Sequence, residues 1–281
     1  MHGMTPETAT DTALPPPSVL KAFQLTGRPE PLEGGQGQSV RVGDAVLKPA
    51  GDSADVQWTA RLMDGLQGQR GFRVPRSLRS VDGDHVVEGW AATRFLAGEP
   101  GPAGRWESLL AAGRSFHEAL RDEPRPDRLD LHQHPWAVAD RVAWGATTAE
   151  VPAHIDQLVT RLQALREPVL ARAQLMHGDL TGNVLFAPGQ APAIIDFSPY
   201  WRPVAYADAI VLVDGLLHHR AGPHLLDSVL PGAEGAQMLL RALIFRLVAL
   251  GVLVGRSGVP AEDELIRFAR VSRLVEERVG G

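Results

Sequence analysis

Asp179 and Asn183 stand in the run His177-Gly178-Asp179-Leu180-Thr181-Gly182-Asn183, and Asp196 opens Asp196-Phe197-Ser198 a short way downstream. Two carboxylates and an amide in this order suit phosphoryl transfer. One carboxylate can orient an attacking hydroxyl and accept its proton, while oxygen ligands hold magnesium against the phosphates. Asp179 suits the first task; Asn183 and Asp196 suit the second. Taken singly, each could mark a turn beside glycine. The ordered set, with an apolar hairpin returning the chain from Asn183 to Asp196, favours chemistry.

A second group lies earlier, in Gly34-Gly35-Gln36-Gly37-Gln38-Ser39, followed by Val46-Leu47-Lys48. Backbone N–H groups of a glycine-rich turn can approach phosphate, and an ammonium on the adjacent strand can pair with the same phosphates. Gly35, Gly37 and Ser39 are the candidate phosphate contacts of the turn. Of 28 basic residues only Lys21 and Lys48 are lysine, leaving 28 − 2 = 26 arginines. A lysine retained against such a bias fits a site that needs a compact charge on a flexible stem rather than a planar fork.

The elements that must position these residues change character along the chain. Residues 1–18, rich in Thr, Ala and Pro, read as a disordered tail. Strands are expected over 39–42 and 45–47 around Gly43-Asp44, then a helix over 54–66 behind Asp52 and Ser53. Further strands are expected over 77–81, 85–90 and 91–96, before Ala97-Gly98-Glu99-Pro100 breaks the pattern. Helices follow over 106–120 and 152–170. A hairpin formed by 184–186 and 193–195 interrupts them, and they resume over 206–217, 236–254 and 262–278. The expected class is α+β, with a β-rich lobe over 19–96 and a helical lobe over 97–281 that meet at a cleft.

Composition excludes several alternatives. A net charge of −5 without a basic block gives no footprint for nucleic acid. The absence of cysteine rules out disulfides and thiolate chemistry and fits a reducing, cytoplasmic setting. No stretch of about 18 uninterrupted apolar residues suggests a membrane span, and no secretory signal opens the chain. Oligomeric state leaves no trace in the sequence.

His177-Gly178-Asp179 with Asn183, Ile194-Ile195-Asp196-Phe197 and Tyr206-Ala207-Asp208 resemble the aminoglycoside phosphotransferase and choline-kinase-like group of the protein-kinase-like fold. The resemblance implies a two-lobed ATP- and Mg2+-dependent phosphotransferase acting on a small-molecule hydroxyl. It implies Asp179 as base, Asn183 and Asp196 as metal ligands, and Lys48 on the phosphates. The base of ATP would lie along Thr93-Arg94-Phe95-Leu96, with Thr93 and Phe95 as contacts and backbone groups reading the adenine edge. Asp208 would anchor the catalytic loop. Two departures stand out. Three residues rather than four separate Asp179 from Asn183, a shortening that Gly182 could absorb. The helix over 54–66 has Asp55, Gln57 and Asp64 but no glutamate for Lys48. These departures motivate the alternative of a nucleotide-binding regulatory or pseudokinase module.

Overall fold

The computed structural model describes residues 13–32, 38–255 and 258–281. In chain order they form α1 (Pro17–Ala22), β1 (Glu30–Pro31), β2 (Val40–Val42), β3 (Ala45–Pro49), α2 (Ser53–Gly65), β4 (Val86–Val87), β5 (Trp90–Arg94) and β6 (Glu99–Pro100). There follow α3 (Trp106–Ala119), a 3-10 turn over Asp127–Leu131, α4 (Pro135–Ala143), α5 (Ala153–Gln163), β7 (Gln174–His177), β8 (Val184–Phe186) and β9 (Ala193–Ile194). The last elements are β10 (Pro199–Arg202), α6 (Val204–His218), α7 (His224–Val229), α8 (Gly232–Val254) and α9 (Glu262–Gly280). The architecture is α+β. Two compact units arise, one from Met1–Glu99 and Leu185–Ile195, the other from Pro100–Val184 and Asp196–Gly281.

The first unit is built on an antiparallel sheet in the order β1-β2-β3-β5-β4. Alternation along β3 buries Ala45 and Leu47 and turns Val46 and Lys48 to the other face. Leu47 joins Val19, Phe23, Val40, Val42, Trp90 and Ala92 in one core. The Asp52 carboxylate caps α2, accepting from the N–H groups of Ala54 and Asp55.

Three expectations are corrected in this unit. Residues 77–81 do not form a strand: Ser77 makes a single bridge to Thr93, and the Ser80 hydroxyl then accepts from Asp82 and Asp84 N–H groups. Those local bonds turn the chain away from the ladder. The expected strand over 85–90 is broken at Glu88-Gly89, whose φ values of +46° and +75° make a two-residue hairpin turn, so Trp90 begins β5. The segment Leu185–Ile195 clusters with the strand-rich unit, because Arg73 bridges Ala193 and its guanidinium donates to the Ala191 carbonyl.

In the second unit every residue from Tyr206 to Leu217 on α6 is buried, and α8 packs against α4, α5, α6 and α9. A window of α8 has a mean hydropathy of 2.0 and the helix is long enough to cross a membrane, yet 72% of that window is buried inside the protein. It is therefore read as a core helix. α5 stops at Gln163, short of the expected 170, ahead of Pro168. The short elements α4, α7, β7 and β10 are not among the expected ones.

Candidate functional site

β7 carries the chain to His177, and β10 returns beside it with Pro199 opposite His177. The buried His177 ring gathers the two chemical segments. Its Nδ1 accepts from the Asp179 N–H at 3.1 Å and the Ser198 N–H at 3.4 Å. Its own backbone N–H donates to Nε2 of His117 on α3 at 3.0 Å. Burial, and then the neighbouring His177, push the His117 pKa down to about 3, so the ring stays neutral and able to accept. His117 is thus a packed histidine.

Two glycines set the loop. A Cβ on Gly178 would lie 2.4 Å from the Tyr200 ring, so only glycine permits that approach. Gly182 has φ +83°, a region open to glycine at no steric cost, and the Asn183 N–H closes the turn onto the Leu180 carbonyl at 3.0 Å. The shortened loop thereby reaches Asp179: Asn183 Nδ2 donates to the Asp179 carbonyl at 2.8 Å and to its carboxylate Oδ2 at 3.1 Å. Asp196 is exposed, with φ +52°, and its carbonyl accepts from the Ser198 hydroxyl at 3.2 Å. Aspartate tolerates that left-handed backbone better than most residues.

The other Asp179 oxygen meets a residue that sequence reasoning missed. Arg246 Nη2 on α8 donates to Asp179 Oδ1 at 2.9 Å. The same guanidinium grips Asp214 of α6 through two bonds, Nε to Oδ1 at 2.7 Å and Nη2 to Oδ2 at 2.5 Å. The Arg246 and Asp214 side chains are 13% and 7% exposed, against 43% for Asp179. Burial disfavours the Arg246 charge, but Asp214 and then Asp179 outweigh it, and the pKa is pushed up. The available signal was a lone arginine in the apolar run Leu243-Ile244-Phe245-Arg246-Leu247-Val248 and a lone acid in Val211-Leu212-Val213-Asp214, since buried charges come paired.

Asp179, Thr181, Asp214 and Arg246 line a cavity of about 330 Å³ in this unit. Trp136, Ala249, Leu250, Leu253 and Phe268 supply its apolar wall, and His218, His219 and Glu264 complete its polar side. Burial lowers the His218 pKa, which favours the neutral ring. The Thr181 hydroxyl is buried and has no hydrogen-bond partner among the described residues.

The remaining candidates divide differently. Ser39, Lys48, Thr93 and Phe95 belong to the first unit, and Gly35 and Gly37 lie outside the described residues. Lys48 sits on β3 opposite Ala91, and Thr93 on β5 opposite Val46. Along Thr93-Arg94-Phe95-Leu96, the Arg94 N–H is bound to the Arg76 carbonyl and the Phe95 N–H to the Asp44 carbonyl. The Phe95 ring lies under the Arg41 guanidinium, 3.9 Å away. Asp208 pairs with Arg114 of α3, which donates to its carboxylate at 2.9 Å.

No family model matches the sequence, and no curated protein matches it. Solved structures do match. A microcompartment-associated aminopropanol kinase superposes with a TM-score of 0.64 at 17% identity, over 92% of this chain and 94% of the other. An aminoglycoside phosphotransferase from Alicyclobacillus acidocaldarius gives 0.63 at 18% identity, over 97% and 96%. A thermostable mutant of aminoglycoside phosphotransferase APH(4)-Ia, in ternary complex with AMP-PNP and hygromycin B, gives 0.57 at 14% identity, over 94% and 98%. The chain has a protein-kinase-like fold. It shares this fold with the aminopropanol kinase and the aminoglycoside phosphotransferases above.

Proposed function

We propose that this protein is an ATP- and magnesium-dependent phosphotransferase acting on a hydroxyl of a small molecule. The observation that carries the reading is the Asp179 carboxylate at the edge of the cavity, bonded on one side by Asn183 and on the other by Arg246. The fold supports it, since the structural neighbours include kinases of small molecules, one of them in complex with AMP-PNP and hygromycin B.

The donor set fits a hard dication. The Asn183 amide nitrogen is engaged by Asp179, which leaves its carbonyl oxygen as the ligand atom, and Asp196 offers an exposed carboxylate. Asn183 and Asp196 would hold magnesium, which when bound with ATP neutralises charge on the phosphates. Lys48 would pair with those phosphates, with Ser39, Gly35 and Gly37 near them and Thr93 and the Phe95 ring beside the base. Asp179 would take the acceptor's proton. A carboxylate has about four acceptor positions, and two are filled by Arg246 and Asn183, which leaves room for the incoming hydroxyl. The cavity wall would exclude water from the transfer.

A second reading, a nucleotide-binding module without efficient turnover, is favoured by α2, whose acids Asp55 and Asp64 are shorter than glutamate. Thermal-shift titration with ATP, with and without magnesium chloride, followed by aminopropanol, choline and hygromycin B as acceptors, separates the two. Metal-dependent stabilisation with phosphoryl transfer is the expected result. Stabilisation without transfer supports the module, and no shift defeats both.

A further inference from the structure

Arg246 has more bonds to carboxylate than its own neutrality requires. Asp214 alone balances the charge, and its two bonds match the planar fork. The additional bond goes to Asp179, a half-exposed carboxylate that water could otherwise solvate. The pair is anchored from two core helices, so the guanidinium cannot follow Asp179 if that side chain rotates. Asp179 itself is fixed at three points: its N–H on His177, Oδ2 under the Asn183 amide, and Oδ1 under Arg246. Without the last of these, among the described residues the rotation of the side chain would be opposed by the single bond from the Asn183 amide.

We propose that Arg246, clamped by Asp214, is a positioning residue that fixes the Asp179 carboxylate toward the cavity in which the acceptor hydroxyl is received. This rests on the role given to Asp179 above. Displacement of a reacting group by about 1 Å can lower turnover about 10²-fold, and that is the scale expected when the clamp is removed. Lysine is a poor substitute, because one ammonium cannot reproduce both the fork on Asp214 and the bond to Asp179.

The test compares Arg246→Lys, Arg246→Met and Arg246→Ala with Asp179→Asn. The double variant Arg246→Met/Asp214→Leu removes both buried charges together, so that loss of folding does not decide the outcome. Turnover is followed with ATP and aminopropanol, choline or hygromycin B, and with water as acceptor if none is phosphorylated. AMP-PNP binding is measured by calorimetry in magnesium chloride, and the Asp179 side chain is located in crystal structures. The expected result is a kcat lowered about 10²-fold in the Met and double variants. AMP-PNP affinity and the KM for ATP should stay near wild type, and the Asp179 carboxylate should be rotated. Guanidinium chloride should restore part of the rate in Arg246→Ala and none in Asp179→Asn. Unchanged kcat in a folded double variant, or Asp179 unmoved in its crystal structure, overturns the proposal. The crystal structures decide the matter even if no acceptor turns over. Normal turnover in Asp179→Asn would instead defeat the reading of Asp179, whatever the Arg246 variants do.

Discussion

Asp179 and Asp196 are both carboxylates in the second unit, but their surroundings differ enough to separate their proposed roles by mutation. Asp179 is held by an arginine and an amide, whereas Asp196 is exposed on a left-handed turn. Asp179→Asn preserves shape and removes the negative charge. Turnover should fall by about 10²-fold or more, the scale for losing general-base help, while ATP still binds. Asp196→Asn should weaken the magnesium-dependent part of ATP binding, because an amide is a poorer ligand for a hard dication. Calorimetric ATP titrations over a range of magnesium concentrations, run beside turnover assays, check both outcomes. An Asp196→Asn protein with unchanged magnesium dependence would contradict the assignment. Stability enters as well: breaking the buried Arg246–Asp214 pair by removing one partner costs about 3–5 kcal/mol in comparable pairs, whereas replacing both by apolar residues is often neutral.

At the scale of elements, the parts legible in the sequence were those with strong local codes. The Gly43-Asp44 hairpin, the Asp52-capped helix and the helix starting at Trp106 stand close to where periodicity and turn chemistry put them. The Gly182 turn that shortens the loop was legible because a positive φ needs glycine. What failed had weak local signals: the Glu88-Gly89 turn lacks the Asn-Gly type, and residues 77–81 have strand composition but surrender their ladder to the Ser80 hydroxyl. The clamp on Asp179 joins positions far apart in the chain, and no window of sequence pairs them. The docking of α3 on β7 was similarly hidden, because it rests on His117 accepting from the His177 backbone. That contact predicts a pH dependence. The native pKa of His117 lies at about 3, below the ordinary 6.5, so between these values the unfolded chain binds the proton and the folded protein does not. Stability should therefore be fully present above pH 6.5 and decline as pH falls toward 3, with a slope of up to about 1.4 kcal/mol per pH unit from this group. His117→Asn keeps an acceptor without titrating, so its urea midpoint should fall less steeply over the same range. Parallel curves for the two proteins would rule out His117 as the source.

At the scale of the whole molecule, the proposed phosphotransfer makes the charge distribution a guide to which acceptors the cavity would admit. Aminoglycosides carry several ammonium groups, and binding them requires carboxylates whose charge is not already spent. The cavity is lined by three acids, Asp179, Asp214 and Glu264, and the one arginine Arg246, with His218 held toward neutrality by burial. Asp214 is committed to Arg246 through two bonds and balances its charge, while Asp179 is held by one further bond, so Asp179 and Glu264 are the two lining carboxylates left to face several ammonium groups. The apolar lining residues Trp136, Leu250, Leu253 and Phe268 would reward an acceptor with an apolar face. Attraction from the rest of the surface does not compensate. The net charge is only −5 over 281 residues, and at physiological salt exposed charges are screened beyond about 8 Å. Kanamycin-like polycations should therefore be poor acceptors, and a hydroxyl compound with at most one ammonium group and an apolar flank should be preferred by at least about tenfold in kcat/KM, or about 1.4 kcal/mol. A matched panel of kanamycin, aminopropanol and an aromatic amino alcohol, assayed at low and high salt, measures this directly. Efficient phosphorylation of kanamycin at micromolar concentration would mean that the acceptor is held by carboxylates outside this cavity.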